Sequence, residues 1–189
     1  MQNMMNIVLI GYRACGKTSA GRVVAEKMRR PFLDTDALVQ ERTGKSIRAL
    51  VADGGWPAFR SAERACIREI AHRDGLVISL GGGAVLDRRN VADLKIRGVF
   101  FWLTADVATI RKRLGQAPES GDQRPPLSGG DAGAEIKSLL REREPVYRRV
   151  ADGVVDTSRL TVAEVAAEIM GLVAKMKKIK SKEMNSDVR

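Results

Sequence analysis

One short segment, GYRACGKT at residues 11–18, limits most strongly what this chain can fold into. Gly11, Gly16, Lys17 and Thr18 fit the pattern G-x-x-x-x-G-K-[ST]. In such a loop, backbone N–H groups curl around a phosphate, which requires glycine where a side chain would block the approach or where φ is positive. The lysine reaches the β- and γ-phosphates, and the hydroxyl binds Mg²⁺. The apolar run NIVLI before the loop and the helical spacing after it predict a buried parallel strand and then a helix whose N-terminus faces the anion.

A nucleoside triphosphate is therefore the predicted ligand of this loop. The predicted phosphate-binding residues are Ala14, Cys15, Gly16, Lys17, Thr18 and Ser19. The alternative is a glycine turn that joins a strand to a helix and binds nothing. The helix N-terminus could lower the pKa of Cys15, although a small residue that fits the loop is the simpler interpretation.

Apolar runs that alternate with helical patterns predict an α/β fold with a mainly parallel sheet. The predicted strands lie at residues 7–10, 32–33, 76–80, 99–103 and 153–157, with helices between them. We expect the helical segment 46–75 to be broken at residues 54–57, and the helix that begins near residue 134 to end at Pro145. The Gly- and Pro-rich run at 115–133 predicts a functional lid or a disordered segment.

The length of 189 residues fits one domain, which we place at residues 1–174. We expect the basic tail at 175–189 to be disordered. The net charge of +10 suits nucleic acids or small polyanions, but only 4% of residues are aromatic and the arginines are spread along the chain. The two cysteines lack the spacing of a metal site, and they form no disulfide framework. The chain also has no long apolar stretch and no signal-peptide features at its N-terminus. We therefore expect a cytoplasmic protein.

Parallel α/β sheets collect their ligands at the carboxyl ends of the strands. The first predicted strand leads into the glycine-rich loop. The second ends in LDTD, where a spacing of two on an extended segment would put the carboxylates of Asp34 and Asp36 on the same side. One carboxylate could hold Mg²⁺ through water while the other meets a substrate hydroxyl. The alternative is that Asp36 simply starts a helix.

The third strand ends in SLGGG. Three consecutive glycines lose much conformational entropy on folding, so we expect the backbone at residues 81–83 to approach a ligand closely. Ser79 stands where P-loop proteins commonly keep an aspartate, which leaves Mg²⁺ without that acid. The predicted metal site therefore consists of Thr18, Asp34 through water, and Ser79.

Six motifs, in this order, closely resemble the shikimate kinase family: GYRACGKT, FLDTDALVQERTGKSI, FRSAE, VISLGGGAV, RPPL and REREPVY. The resemblance extends from about residue 6 to residue 169. It implies transfer of the γ-phosphoryl group of ATP to the 3-hydroxyl of shikimate, in the pathway to aromatic amino acids, with Mg²⁺ as cofactor. It also implies the nucleoside monophosphate kinase fold: a three-layer α/β/α P-loop domain with a five-stranded parallel sheet, a lid at about 114–130 and a substrate-binding helical region at about 35–64.

The resemblance further implies roles for individual residues. Asp36 is similar to the catalytic base that contacts the shikimate hydroxyl, and Asp34 is similar to the outer-shell Mg²⁺ residue. Arg60 in FRSAE and Arg143 in REREPVY resemble the two arginines that bind the shikimate carboxylate. A planar guanidinium suits this role because it pairs bidentately with a carboxylate. Gly82 resembles a backbone contact to the substrate.

Three further residues resemble family residues that contact ATP. Lys17 is expected to be catalytic, and so is Arg124 in RPPL, which resembles the lid arginine that moves onto the phosphates. Arg113 resembles the residue that packs on adenine.

Glu63 lies one helical turn after Arg60, and this spacing predicts that Glu63 orients the Arg60 guanidinium.

The chain also departs from the family pattern. Ala14 occupies a position where the family usually has glycine, and we expect alanine to need only a small adjustment if φ there is negative. The lid looks a few residues longer than in compact members. A second adenine contact has no clear match, and Arg159 and Leu160 are both candidates.

Two other functions remain possible on the sequence. One is a different small-molecule kinase of the same fold, such as one acting on gluconate. The other is a nucleic-acid-binding or regulatory protein that uses ATP as a switch, which only the basic tail supports. A GTPase is disfavoured because no N/T-K-x-D motif occurs. The expected partners are ATP and shikimate, and the expected state is a monomer without membrane or nucleic acid.

Overall fold

A computed structural model describes residues 4–116 and 132–186 of the chain. Within these ranges, five parallel strands form one sheet in the order β2-β3-β1-β4-β5. They are β1 (Asn6–Ile10), β2 (Phe32–Asp34), β3 (Val77–Ser79), β4 (Gly98–Thr104) and β5 (Gly153–Asp156). The predicted five-stranded parallel sheet is confirmed.

Helices connect the strands and cover both faces of the sheet. They are α1 (Lys17–Met28), α2 (Thr35–Thr43), α3 (Ile47–Ile70), α4 (Arg88–Lys95), α5 (Val107–Gln116), α6 (Ala132–Val150) and α7 (Val162–Ser186), with a 3₁₀ turn at Ala84–Leu86. None of the helices in the described ranges is long and apolar enough to cross a membrane.

The central strand β1 shows why the protein has three layers. All five of its residues are buried. Ile7 and Leu9 pack in one cluster with residues of α1, α5 and α7, whereas Val8 and Ile10 pack in a second cluster with residues of α3, α4 and α6. Because successive side chains of a strand point to opposite faces, a continuous apolar run requires helices on both sides.

Two helix ends differ from the sequence predictions. Helix α6 does not stop at Pro145 but continues to Val150. A proline inside a helix removes one backbone hydrogen bond, but Tyr147 and Val150 are buried beyond it, and their packing holds the helix together. Helix α7 continues to Ser186, where the sequence predicted disorder from residue 175. The added stretch is rich in Lys and also contains two Met, and both residue types form helices readily.

The predicted break in the long helical segment 46–75 is confirmed as a kink inside α3. Gly55 has φ 69° and ψ −179°, which is not helical, and Pro57 follows two residues later. The part of α3 beyond the kink carries Arg60 and Glu63. Residues from both parts of α3, Ile47 before the kink and Phe59 and Cys66 after it, pack with Val39 of α2 in one cluster.

Candidate active site

The glycine-rich loop lies between the carboxyl end of β1 and the first turn of α1. Gly11 has φ 138°, and a Cβ added there would lie 2.2 Å from the Leu103 carbonyl oxygen. Gly16 has φ 86° and directly precedes α1. Glycine is therefore required at both positions, at the first by space as well as by backbone conformation.

Ala14 does not meet the condition under which we expected only a small adjustment, which was a negative φ. Its φ is 61°, so this alanine adopts the left-handed conformation. The left-handed region brings Cβ close to the following carbonyl oxygen and costs roughly 1–2 kcal/mol for a residue other than glycine. The loop therefore contains a strained residue where the shikimate kinase family usually has glycine.

Lys17 is poised over this loop. Its side chain is only 8% exposed, and Nζ donates hydrogen bonds to the carbonyl oxygens of Gly11 at 3.0 Å and Tyr12 at 2.8 Å. These contacts hold a positive charge above the backbone that would surround a phosphate. The position fits the predicted interaction of Lys17 with the phosphates of a nucleotide.

Three oxygen-bearing side chains meet beside the first turn of α1. Thr18 Oγ1 donates to Asp34 Oδ2 at 2.7 Å and lies 3.4 Å from Ser79 Oγ. Carboxylate and hydroxyl oxygens are the ligands that Mg²⁺ prefers, and Mg²⁺ is usually held by one or two carboxylates together with substrate phosphates and waters. Among the described residues, no group of three or more His, Cys, Asp or Glu side chains is placed to hold a metal ion.

The two acids of LDTD are arranged differently from the sequence prediction. The segment is not extended throughout, because α2 begins at Thr35. Asp34 is the N-cap, with Oδ1 accepting from the backbone N–H groups of Asp36 at 3.0 Å and Ala37 at 3.4 Å. Asp34, rather than Asp36, therefore starts the helix. Both aspartates still line the same cavity, because Asp36 lies in the first turn.

An open cavity of about 640 Å³ brings most of the predicted nucleotide-side residues together. Its lining includes Ala14, Gly16, Lys17, Thr18, Ser19, Asp34, Asp36, Ser79, Gly82, Arg113 and Leu160. Of the two candidates for the second adenine contact, Leu160 is in this lining and Arg159 is not. Cys15 is buried in the core instead, and this burial raises the pKa of its thiol, contrary to the lowering that we considered. Cys15 can therefore meet a phosphate only through its backbone.

Arg113 and Thr157 form a bridge behind the glycine-rich loop. Arg113 Nη1 donates to the Ala14 carbonyl oxygen at 3.2 Å and to Thr157 Oγ1 at 3.0 Å, and Nη2 donates to the Thr157 carbonyl oxygen at 2.7 Å. Thr157 Oγ1 in turn lies 3.2 Å from the carbonyl oxygen of Cys15. Sequence reasoning missed Thr157, although its place directly after the apolar strand β5 was an available signal.

Arg60 lies against the glycine loop that follows β3. A Cβ added to Gly83 would be 2.2 Å from Arg60 Nη2, so the guanidinium packs on the bare backbone. Arg60 Nη1 forms an ion pair of 2.5 Å with Glu63 Oε2, and Glu63 is 1% exposed. The guanidinium also lies 5.1 Å from the centre of the Phe59 ring. The predicted contact between Glu63 and Arg60 is thus present.

Arg143 lies on α6, four residues before the buried Tyr147. Its Nε is buried and has no hydrogen-bond partner among the described residues. Neither Arg60 nor Arg143 is among the residues that line the cavity beside the glycine-rich loop. Arg124 and most of the predicted lid lie outside the described residues.

A phosphate loop after the central strand of a parallel sheet, with hydroxyl and carboxylate groups at the neighbouring strand ends, defines a P-loop kinase of the nucleoside monophosphate kinase type. The family model described as shikimate kinase matches residues 13–174. This chain belongs to the shikimate kinase family.

Individual relatives agree with the family match. The chain is 44% identical over 174 residues to shikimate kinase of Syntrophus aciditrophicus, covering 87% of this chain and 89% of the relative. It is also 44% identical to shikimate kinase of Oleidesulfovibrio alaskensis, covering 90% and 98%. Among solved structures, Acinetobacter baumannii shikimate kinase in complex with shikimate matches with a TM-score of 0.86 and 31% identity, over 93% of this chain and 96% of that one. A gluconokinase of Sinorhizobium meliloti shares the fold alone, with a TM-score of 0.58 and 18% identity.

Proposed function

We propose that this protein transfers the γ-phosphoryl group of ATP to the 3-hydroxyl of shikimate. The observation that carries the proposal is the contact between its two glycine loops. A Cβ added to Gly82 would lie 3.3 Å from the Gly11 carbonyl oxygen and 3.6 Å from the Arg13 backbone nitrogen. A ligand held at the loop after β3 therefore sits beside the loop that surrounds a phosphate, as transfer between two substrates requires.

The side chains of the cavity suit the chemistry of this transfer. The 3-hydroxyl oxygen attacks the γ-phosphorus, ADP leaves, and the hydroxyl proton passes to the carboxylate of Asp36. Lys17 stabilises negative charge on the phosphate oxygens, and we propose that Arg124 of the predicted lid stabilises the same charge. Thr18 and Asp34, with Ser79 beside them, are the groups that would hold Mg²⁺, which neutralises phosphate charge when bound.

The carboxylate of shikimate supplies the negative charge that Arg60 and Arg143 would bind. The ion pair with the buried Glu63 holds the Arg60 guanidinium against Gly83. The buried Nε of Arg143 offers a donor to an anion. Arginine suits such a pair of contacts because its rigid fork forms two parallel hydrogen bonds with a carboxylate.

We further infer that the enzyme works in the cytoplasm as a monomer. Both of its cysteines, Cys15 and Cys66, are buried free thiols, which suits a reducing compartment. Size-exclusion chromatography with light scattering measures the molar mass in solution and so tests whether the protein is a monomer.

A coupled assay of ADP release with shikimate and ATP tests the function directly. We expect activity with shikimate and none with gluconate. Arg60→Ala and Arg143→Ala should each raise the KM for shikimate by about 30-fold or more, because truncating one partner of a buried charge pair costs roughly 2–5 kcal/mol. The KM for ATP should stay unchanged, and lysine at either position should restore only part of the affinity.

Arg141→Ala is the matched control, since Arg141 lies on the same helix and is exposed. Unchanged shikimate affinity in both Arg60→Ala and Arg143→Ala would show that the carboxylate site is wrong. Activity with gluconate instead of shikimate would favour the alternative of a gluconate kinase with the same fold. Retention on DNA that falls steeply with salt, without kinase activity, would favour the nucleic-acid alternative.

A further inference from the structure

The loop Gly81–Gly83 has no side chains of its own, so its conformation depends on neighbouring groups. Thr35 Oγ1 accepts a hydrogen bond of 2.9 Å from the backbone N–H of Gly81. Tyr147 Oη donates one of 2.5 Å to the carbonyl oxygen of Gly82. Thr35 is 0% and Tyr147 1% exposed, so both bonds are shielded from water. Ordering the backbone costs roughly 1–2 kcal/mol per residue, and these two contacts oppose that cost.

These contacts also determine which backbone groups remain available to a ligand. The Gly81 carbonyl oxygen accepts from Ala84 N–H at 2.9 Å, and the Gly82 carbonyl is taken by Tyr147. In a planar trans peptide, the N–H of the next residue points opposite to the carbonyl. The N–H groups of Gly82 and Gly83 are therefore turned away from those partners, and neither donates to an acceptor among the described residues.

Tyr147 connects this loop to α6 and to the sheet. It follows Arg143 by four residues, so the two side chains lie on the same face of α6. Its ring stacks on Trp102 of β4, with centroids 5.9 Å apart. Burial raises the pKa of the Tyr147 hydroxyl to about 12, although the positive charge of Arg143 opposes the shift. The hydroxyl therefore stays protonated, and able to donate, throughout the neutral range.

We propose that Tyr147 and Thr35 are positioning residues, which hold the loop Gly81–Gly83 from opposite sides so that its two available N–H groups and Arg143 face one bound shikimate. This inference rests on the proposed function. Tyr147 comes from α6 and Thr35 from the first turn of α2, next to Asp36. Together they tie the loop to the two helices that carry the proposed base and one proposed carboxylate ligand.

Tyr147→Phe tests the first residue, because it removes the hydroxyl and keeps the ring on Trp102. We expect the Kd for shikimate, measured by calorimetry, and the KM for shikimate to rise about tenfold, as for loss of a buried hydrogen bond. The Kd for ADP and the KM for ATP should stay within about twofold. A residue that only supports folding would instead weaken both ligands together, so this split between the substrates distinguishes positioning from general stabilisation.

Thr35→Val and Thr35→Ser test the second residue and remain informative if Tyr147→Phe does not fold. Valine removes the acceptor and keeps the shape, whereas serine keeps the hydroxyl. We expect valine to weaken shikimate binding severalfold and serine to restore it. Thr43→Val, at the far end of the same helix, removes a hydroxyl bonded to the Val39 carbonyl oxygen and should leave both ligands unaffected.

Three results would overturn the inference: parental shikimate binding in Tyr147→Phe, equal weakening of shikimate and ADP, or identical behaviour of the valine and serine variants. These results are distinct from failure of the proposed function. If the parental protein itself neither binds nor phosphorylates shikimate, the proposed function is wrong. If the parent is active and the variants match it, only the positioning role is wrong.

Discussion

Thr18 Oγ1 donates a hydrogen bond of 2.7 Å to Asp34 Oδ2 and so joins the first turn of α1 to the carboxyl end of β2. The other oxygen of the same carboxylate caps α2. One side chain thus serves the proposed Mg²⁺ site and the start of the helix that carries Asp36.

This double role predicts the behaviour of Asp34→Asn. Asparagine caps helices about as well as aspartate, so the melting temperature should change little. The lost negative charge should raise the Mg²⁺ concentration needed for half-maximal activity about tenfold, because Mg²⁺ sites depend on one or two carboxylates. A magnesium titration measures this shift. Asp36→Asn is the comparison: it should lower kcat by about 10²–10⁴-fold as loss of a general base does, without moving the Mg²⁺ dependence. Identical effects in both variants would contradict the separate roles.

Glu63 should matter for both stability and substrate affinity. It is 1% exposed and pairs with Arg60, so Glu63→Gln weakens a buried charge-assisted contact. We expect the free energy of unfolding to fall by about 1–3 kcal/mol and the KM for shikimate to rise severalfold. Glu144→Gln is the control, since Glu144 pairs with Arg148 on the exposed side of α6 and such pairs contribute only about 0.3–0.5 kcal/mol. Chemical denaturation and steady-state kinetics measure both effects. Equal losses in the two variants would contradict the prediction.

Ala14→Gly should stabilise the protein. Glycine removes the left-handed strain at φ 61°, which is worth roughly 1–2 kcal/mol, while its greater freedom in the unfolded chain offsets about 0.4–1 kcal/mol. A net gain of between about 0 and 1.6 kcal/mol in the free energy of unfolding is expected. The same change at Ala167, which is exposed within α7, should instead destabilise by about 1 kcal/mol. Denaturant titration measures the free energy of unfolding of both variants, which should change in opposite directions. A loss of stability in Ala14→Gly would refute the assignment of strain.

The basic end of α7 should be dispensable for the fold. Val173 is buried and Met176 packs against the core, whereas the side chains of residues 177–179 are exposed. Truncation after Met176 should therefore change the free energy of unfolding by less than about 0.5 kcal/mol and leave kcat unchanged. It should also abolish any retention on DNA that the tail provides. A large loss of stability or of shikimate phosphorylation would show that this end has a role in the domain.

Much of the architecture follows from local patterns. The run Ile7–Ile10 is apolar at every position, which requires helices on both faces of its sheet, and the positive φ at Gly11 and Gly16 is what a phosphate loop demands. The kink at Gly55 and the contact of Glu63 with Arg60 were also predicted, because both involve residues close together in the chain.

The ends of helices, and which aspartate of LDTD caps α2, were harder to predict. Propensity alone ends α6 at Pro145, but Tyr147 and Val150 are buried beyond it and packing outweighs one lost hydrogen bond. Likewise, either aspartate of LDTD could cap a helix. In the structure Asp34 is the N-cap, and it also accepts a hydrogen bond from Thr18, which lies 16 residues earlier in the chain.

The fold class, the phosphate loop and the residues that resemble shikimate kinases were predictable, because each of these is a pattern of neighbours along the chain. The strand order, the left-handed φ of Ala14, and the contacts of Thr157 with Cys15 and of Tyr147 with Gly82 could be found only in the folded structure. The two contacts were unpredictable because they join residues that are far apart in the sequence. Those pairs are 142 and 65 residues apart, and they meet only after the helices have packed onto the sheet and buried the polar groups that must then find each other.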